Sequence, residues 1–184
     1  MTVIVGLEFQ NQVYMGCDSG ALAGYDIFQS RLHKVFQKGP FLIGYTDSFR
    51  MGQLLQYRLQ VREQNEGEDD LEYLVVAFVE SVRACLQEGG FAKKENEQEE
   101  GGQFLVGYRG RLYLVDNDYQ VNSCRDGYYA VGCGMGYALG SLHTPCDLIP
   151  ESRVRRALEA AGHFSGGVSR PFLVVGPDGT STTL

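Results

Sequence analysis

Long apolar runs are missing from this chain. No stretch of its 184 residues reaches the roughly 18 apolar residues that a membrane-spanning helix needs, so no membrane partner is expected. A basic start is missing too, and Glu8 and Gln10 interrupt any apolar core near the N-terminus. That is not a secretory signal, and the chain is expected in the cytoplasm. Cysteine pairs are absent: Cys17, Cys85, Cys124, Cys133 and Cys146 form no CxxC and are odd in number, which argues for reduced thiols. His33, His143 and His163 show no ligand spacing, so neither a metal nor another cofactor is expected. Basic residues are outnumbered, and a net charge of −7 argues against nucleic acid or an anionic membrane as partner.

What is present points to a globular chain. Hydrophobic residues make up 43%, enough to build a core, and the length suits one domain over residues 1–184. Residues 3–9 (VIVGLEF) and 13–18 (VYMGCD) alternate with the period of strands. If one face of this hairpin is apolar, Val3, Val5, Leu7 and Phe9 must meet Val13, Met15 and Cys17. Paired numbers then sum to 22, around a three-residue loop, Gln10-Asn11-Gln12. Asp18 falls opposite Ile4 and diagonal to Thr2, so a hydroxyl and a carboxylate share one end of the hairpin.

A looped stretch, SGALAGYDIFQS, follows. HKVFQ and FLIGYT read as a second hairpin around Lys38-Gly39-Pro40. Residues 48–63 have helical spacing through Phe49, Leu54, Leu55 and Leu59. Residues 70–87 form a longer helix, apolar enough to be largely buried, with Asp70 as N-cap. A charged, glycine-flanked segment over about 88–102 reads as a mobile surface loop. Strands return in QFLVGYR, RLYLVD and YYAVGCG, followed by a helix in ESRVRRALEAAGHF and a strand in SRPFLVVGP. This order fits an α+β fold, a four-layer αββα sandwich of two antiparallel sheets flanked by helices.

A threonine at the start of a mature chain can be a complete catalytic unit. Its hydroxyl is the nucleophile, and its α-amine, with an ordinary pKa near 8, is the base. A neighbouring lysine lowers that pKa by like-charge repulsion, and a buried lysine needs a carboxylate partner. Thr2 and Asp18 meet two of these needs. Lys34, in RLHKVF, is either the third member or a solvated lysine at a strand edge.

TVIVGLEFQNQVYMGCDSG followed by RLHKVF resembles the start of proteasome β subunits and HslV-type peptidases, which are N-terminal nucleophile (Ntn) hydrolases. The spacing matches without a gap, and the resemblance implies Thr2 as nucleophile with Asp18 and Lys34 as its partners. YYAVGCGMGYALGSL resembles a second family segment, with Cys133 in place of a site serine. SGGVS resembles a third, with Ser165 as its serine. FLIGYTDSFRMGQLL stands where the family has a turn entering its first helix.

There are three departures from the pattern. Cys133 replaces a hydroxyl that holds the α-amine, though it also reads as a small residue in a glycine turn. Asp47 lies at or next to the glycine whose N–H faces the oxyanion. Gly162 stands where an aspartate is frequent, beside His163, a histidine at a helix end. The resemblance implies a threonine endopeptidase in a homo-oligomer of stacked rings, acting on peptide or unfolded protein with a possible unfoldase partner. The alternatives are a non-catalytic ring subunit and an amidase of small amides. Met1 before threonine is a substrate for ordinary aminopeptidase processing.

Overall fold

The first hairpin differs from expectation by one residue. In the computed structural model of the chain, β1 (Val3–Phe9) pairs antiparallel with β2 (Gln12–Asp18), with Ile4 opposite Cys17 and Phe9 opposite Gln12. Paired numbers sum to 21, and the loop is only Gln10-Asn11, both at positive φ (50° and 57°). That is the two-residue turn whose twist suits a hairpin, built without the usual Asn-Gly signal. Asp18 therefore lies opposite Phe172 on a third strand, not opposite Ile4. The expectation failed because it assumed one polar face. Val3, Val5, Leu7 and Tyr14 pack under helices, while Ile4, Val13, Met15 and Cys17 pack between two sheets.

The structure describes residues 1–184 except Gly24, Tyr25, Ala92, Asn96, Glu97, Cys146 and Leu184, with backbone alone for Ala23, Lys93, Lys94, Glu95 and Gln98. Downstream lie β3 (Gly20–Ala23), β4 (Asp26–Gln29), β5 (Val35–Lys38) and β6 (Phe41–Tyr45). Then come α1 (Phe49–Tyr57), α2 (Asp70–Tyr73), a π-helical turn (Leu74–Phe78) and α3 (Val79–Glu88). Next are β7 (Lys93–Glu95), β8 (Gln98–Glu100), β9 (Phe104–Tyr108), β10 (Arg111–Val115), β11 (Val121–Ser123) and β12 (Tyr128–Gly132). The chain continues through α4 (Met135–His143), α5 (Pro150–Phe164), β13 (Phe172–Val175) and β14 (Ser181–Thr183).

One sheet has the order β12-β1-β2-β13-β14 and the other β11-β10-β9-β6-β5. Ile4, Met15, Leu42, Leu105, Leu112 and Leu173 fill the space between them. The outer face of the first sheet is covered by α4 and α5 through Ala138, Leu142, Val154 and Leu158. The outer face of the second is covered by α1, the π turn and α3 through Leu54, Leu55, Phe78 and Leu86. This is the four-layer αββα sandwich. The layers approach closely at Gly16, where a Cβ would stand 2.6 Å from Val154 Cγ1 of α5.

Several local expectations are corrected. The first helix stops at Tyr57, well short of 63: the N–H groups of Arg58 and Leu59 both turn back onto the Leu54 carbonyl, and Leu59 is buried beyond the helix end. The longer helix is capped by Asp69, whose side chain accepts from Leu71 N and Glu72 N; Asp70 instead meets Arg109 at 3.1 Å. It is not buried all round: Leu71, Val75 and Val76 are 41%, 46% and 57% exposed. The looped stretch after Asp18 is the β3–β4 hairpin. The charged segment over 88–102 contains the β7–β8 hairpin, whose register sets Lys93 against Glu100 and Lys94 against Glu99. The α4 helix was not foreseen, since Gly136 and Gly140 weaken its intrinsic propensity and packing of Ala138 and Leu142 secures it. Lys34 lies just before β5 rather than within a strand.

Candidate active site

Three polar side chains are buried together at the end of the first sheet. Thr2 is 4% exposed, Asp18 1% and Lys34 3%. Burying such groups is costly unless each is paired, and here each is. The Lys34 ammonium donates to Thr2 Oγ1 at 2.5 Å, to Asp18 Oδ1 at 2.9 Å and to the Gly20 carbonyl at 2.6 Å. The Thr2 hydroxyl donates in turn to Asp18 Oδ1. Val3 N–H also donates to Oδ1, while Gly20 N–H (3.0 Å) and Ser169 N–H (3.4 Å) donate to Asp18 Oδ2. The carboxylate is thus held from both oxygens, and the lysine has a fixed direction.

Local sequence explains the arrangement. Asp18 ends β2, and Asp18-Ser19-Gly20 closes with the Asp side chain bonded to the N–H two residues on. Gly20 is required by space, because a Cβ there would come 2.8 Å from Ser169 Cβ and 3.2 Å from Asp18 Oδ2. Lys34 enters from the second sheet, and its Nζ also stands 6.0 Å from the Phe49 ring centroid. The Gly20 carbonyl and the Ser169 amide were not foreseen. The DSG turn carries a signal for the first; the second comes from a residue 151 positions away and has none.

The other flank of Thr2 is looser. Cys133 Sγ donates to the Thr2 carbonyl oxygen at 3.3 Å, and Ser165 Oγ donates to Cys133 Sγ at 3.6 Å. Ser165 therefore reaches Thr2 only through the thiol. Cys133 is exposed, not the small buried residue a glycine turn would hold. Gly132, at φ +93°, lets the chain pass the Thr2 carbonyl; a Cβ there would collide with it. Met1 is 62% exposed and is peptide-bonded to Thr2.

The departures have physical reasons. No side chain fits at Gly162 without moving the Phe172 ring, whose Cζ would lie 2.7 Å from the new Cβ. His163 is exposed and packs edge-on against Phe164 at 4.6 Å. The Asp47 carboxylate is engaged, its Oδ2 accepting from Gln103 N–H at 2.9 Å. Cys17, on the inter-sheet face beside Asp18, is held protonated: burial first, then the Asp18 charge, pushes its pKa up to about 12.

Beside Thr2 opens a small cleft of about 80 Å³. Its walls include Met1, Thr2, Lys34, Ala21 and Leu22 of β3, and the run from Tyr45 to Phe49. Tyr45 and Phe49 meet edge to face at 6.3 Å. The arrangement offers a hydroxyl hydrogen-bonded to a fixed cation, at the edge of a space that admits a ligand. Among the described residues no group of three or more His, Cys, Asp or Glu could hold a metal, and no helix is long and apolar enough to cross a membrane.

No family model matches the chain, and no curated protein sequence matches it. Solved structures do. Thiobacillus denitrificans BPH in complex with epoxomicin superposes with a TM-score of 0.79 at 16% identity, over 99% of this chain and 98% of that one. A second structure of Thiobacillus denitrificans BPH gives 0.79 at 15% identity, over 99% of this chain and 98% of that one. Eukaryotic HslV from Trypanosoma brucei gives 0.65 at 16% identity, over 94% of this chain and 97% of that one. The chain has the HslV-like, proteasome-like fold that the sequence resemblance implies.

Proposed function

We propose that this protein is an N-terminal threonine hydrolase that cleaves peptide bonds, with Thr2 as nucleophile once Met1 is removed. The observation that carries this reading is the buried contact of Lys34 Nζ with both Thr2 Oγ1 and Asp18 Oδ1. Removal of Met1 converts the Thr2 nitrogen from an amide, which is no base, into an amine. The Lys34 charge beside it disfavours the ammonium form and leaves the amine free to accept a proton near neutral pH. Thr2 Oγ1 then attacks the carbonyl carbon while its proton passes to the amine. Asp47 N–H, which has no acceptor among the described residues, is the donor assigned to the developing oxyanion. Collapse breaks the C–N bond and gives the proton to the leaving amine. Water then hydrolyses the Thr2 ester. Ser165 and Cys133 order the amine and that water.

The exposed apolar residues Leu71, Val75 and Val76 support assembly into a homo-oligomer with Thr2 facing an inner chamber. Such a chamber would receive unfolded protein, with an unfoldase as a partner that the cytoplasm supplies. Light scattering at micromolar concentration is expected to give several times 20.4 kDa; a single 20.4 kDa species refutes assembly. The rival reading, a non-catalytic subunit of the same fold, is favoured by the thiol at 133. The third, an amidase, is separated by a panel of peptide and small-amide substrates.

The deciding experiment uses epoxomicin, the ligand in the BPH structure, as an electrophile. Intact mass should show chains lacking Met1 and carrying one adduct, mapped to Thr2. Thr2→Ala should lose the adduct and keep its fold. Retention of Met1, an adduct on Cys133, or equal labelling of Thr2→Ala overturns the hydrolase reading.

A further inference from the structure

The turn between β6 and α1 has a backbone conformation that the hydrolase reading does not explain. Asp47 sits at φ +59°, a left-handed conformation uncommon for a residue with a Cβ. Ser48 N–H donates to the Thr46 carbonyl at 2.7 Å, so Asp47 is the centre of a three-residue γ-turn of the rare, strained hand. The turn forms part of the cleft wall beside Thr2. A glycine would adopt this shape freely.

What holds an aspartate there is a set of hydrogen bonds to one residue across the sheet edge. Gln103 N–H donates to Asp47 Oδ2 at 2.9 Å. The Gln103 carbonyl accepts from Thr46 Oγ1 at 2.7 Å and from Thr46 N at 3.3 Å. Gly102 leaves the room that this requires, since a Cβ there would come 3.2 Å from Asp47 Oδ2. The carboxylate is therefore turned onto the backbone of the neighbouring segment and does not hang free over the cleft. Strained residues persist where their surroundings over-determine them, and these cluster at working sites.

We infer that Asp47 is a positioning residue: by bonding Gln103 N–H, its side chain locks the left-handed turn that aims Asp47's own N–H at the reacting carbonyl. The role belongs to the acceptor oxygen and not to the negative charge. This rests on the hydrolase reading above. The side chain acts through the backbone, so its loss slows the chemical step and leaves ligand affinity unmoved.

The test is the kinetics of covalent Thr2 modification by epoxomicin, separated into affinity and maximal rate, together with amide hydrogen exchange at Gln103. Asp47→Ala removes the acceptor but keeps a Cβ at positive φ. It should lower the maximal rate at least tenfold, leave the affinity within twofold, and expose the Gln103 amide to exchange. Asp47→Asn keeps an acceptor oxygen in a residue that tolerates the left-handed region. It should restore Gln103 protection and bring the rate back to within about threefold of the parent. Asp47→Gly should recover the rate without protecting Gln103. If Asp47→Ala is modified as fast as the parent, or Asp47→Asn falls as far as Asp47→Ala, the inference is wrong while the hydrolase reading stands. If the parent never labels on Thr2, both fail, and the exchange data then report only a tie within a turn.

Discussion

Thr2 has two flanks built to different standards. On one side, Asp18 and Lys34 are almost wholly enclosed and joined by short bonds among oxygen and nitrogen atoms. On the other, Cys133 is exposed and touches the Thr2 carbonyl through sulfur at 3.3 Å, with Ser165 a further 3.6 Å away. A buried charge cannot be left half-satisfied, so the first flank is fixed by the fold's own stability. Solvent can satisfy the second, so residue type is freer there. Of the departures from the family pattern, Cys133 lies on the exposed flank, Asp47 in the turn between β6 and α1, and Gly162 within α5 against Phe172. The enclosed flank matches that pattern at Thr2, Asp18 and Lys34.

The contrast can be broken by exchanging one residue on each side. Asp18→Ala should have the larger effect. It strands the Lys34 charge and unpairs the N–H groups of Val3 and Gly20. Loss of one partner from a buried pair costs about 3–5 kcal/mol. A denaturant titration should show that loss, and a midpoint equal to the parent's would mean that the pair contributes nothing to folding. Cys133→Ser should shift stability by no more than about 0.5 kcal/mol, as is usual for an exposed site. A hydroxyl is the better hydrogen-bonding group, so epoxomicin should modify this variant at least as fast as the parent. A tenfold slower rate would show that the thiol itself takes part in the chemistry.

The same contrast governs what could be read beforehand. The grouping of Thr2, Asp18 and Lys34 was legible because side-chain type, with the spacing of the family resemblance, points to it. Their register was not, because Val3 and Ile4 are both buried and alternation carries no sign of which face is which. The β3–β4 and β7–β8 hairpins escaped because their strands are three or four residues long and rich in polar or small groups. The Gly20 carbonyl and the Ser169 amide belong to the backbone, which every residue possesses, so composition does not single them out. Asp47 was visible as an oddity, but only its φ and its bond to Gln103 give it a meaning.

Lys34 has one more consequence. An ammonium group is a tripod, with three N–H bonds in tetrahedral directions. Here its three feet rest on Thr2 Oγ1, Asp18 Oδ1 and the Gly20 carbonyl. A tripod with every foot placed can neither spin nor tip. To release a proton, Lys34 would have to leave one of those oxygens unsupplied inside the protein. In the proposed hydrolysis it would therefore be a stationary source of electric field rather than a courier, and the proton traffic would pass through the one nitrogen that processing of Met1 would set free.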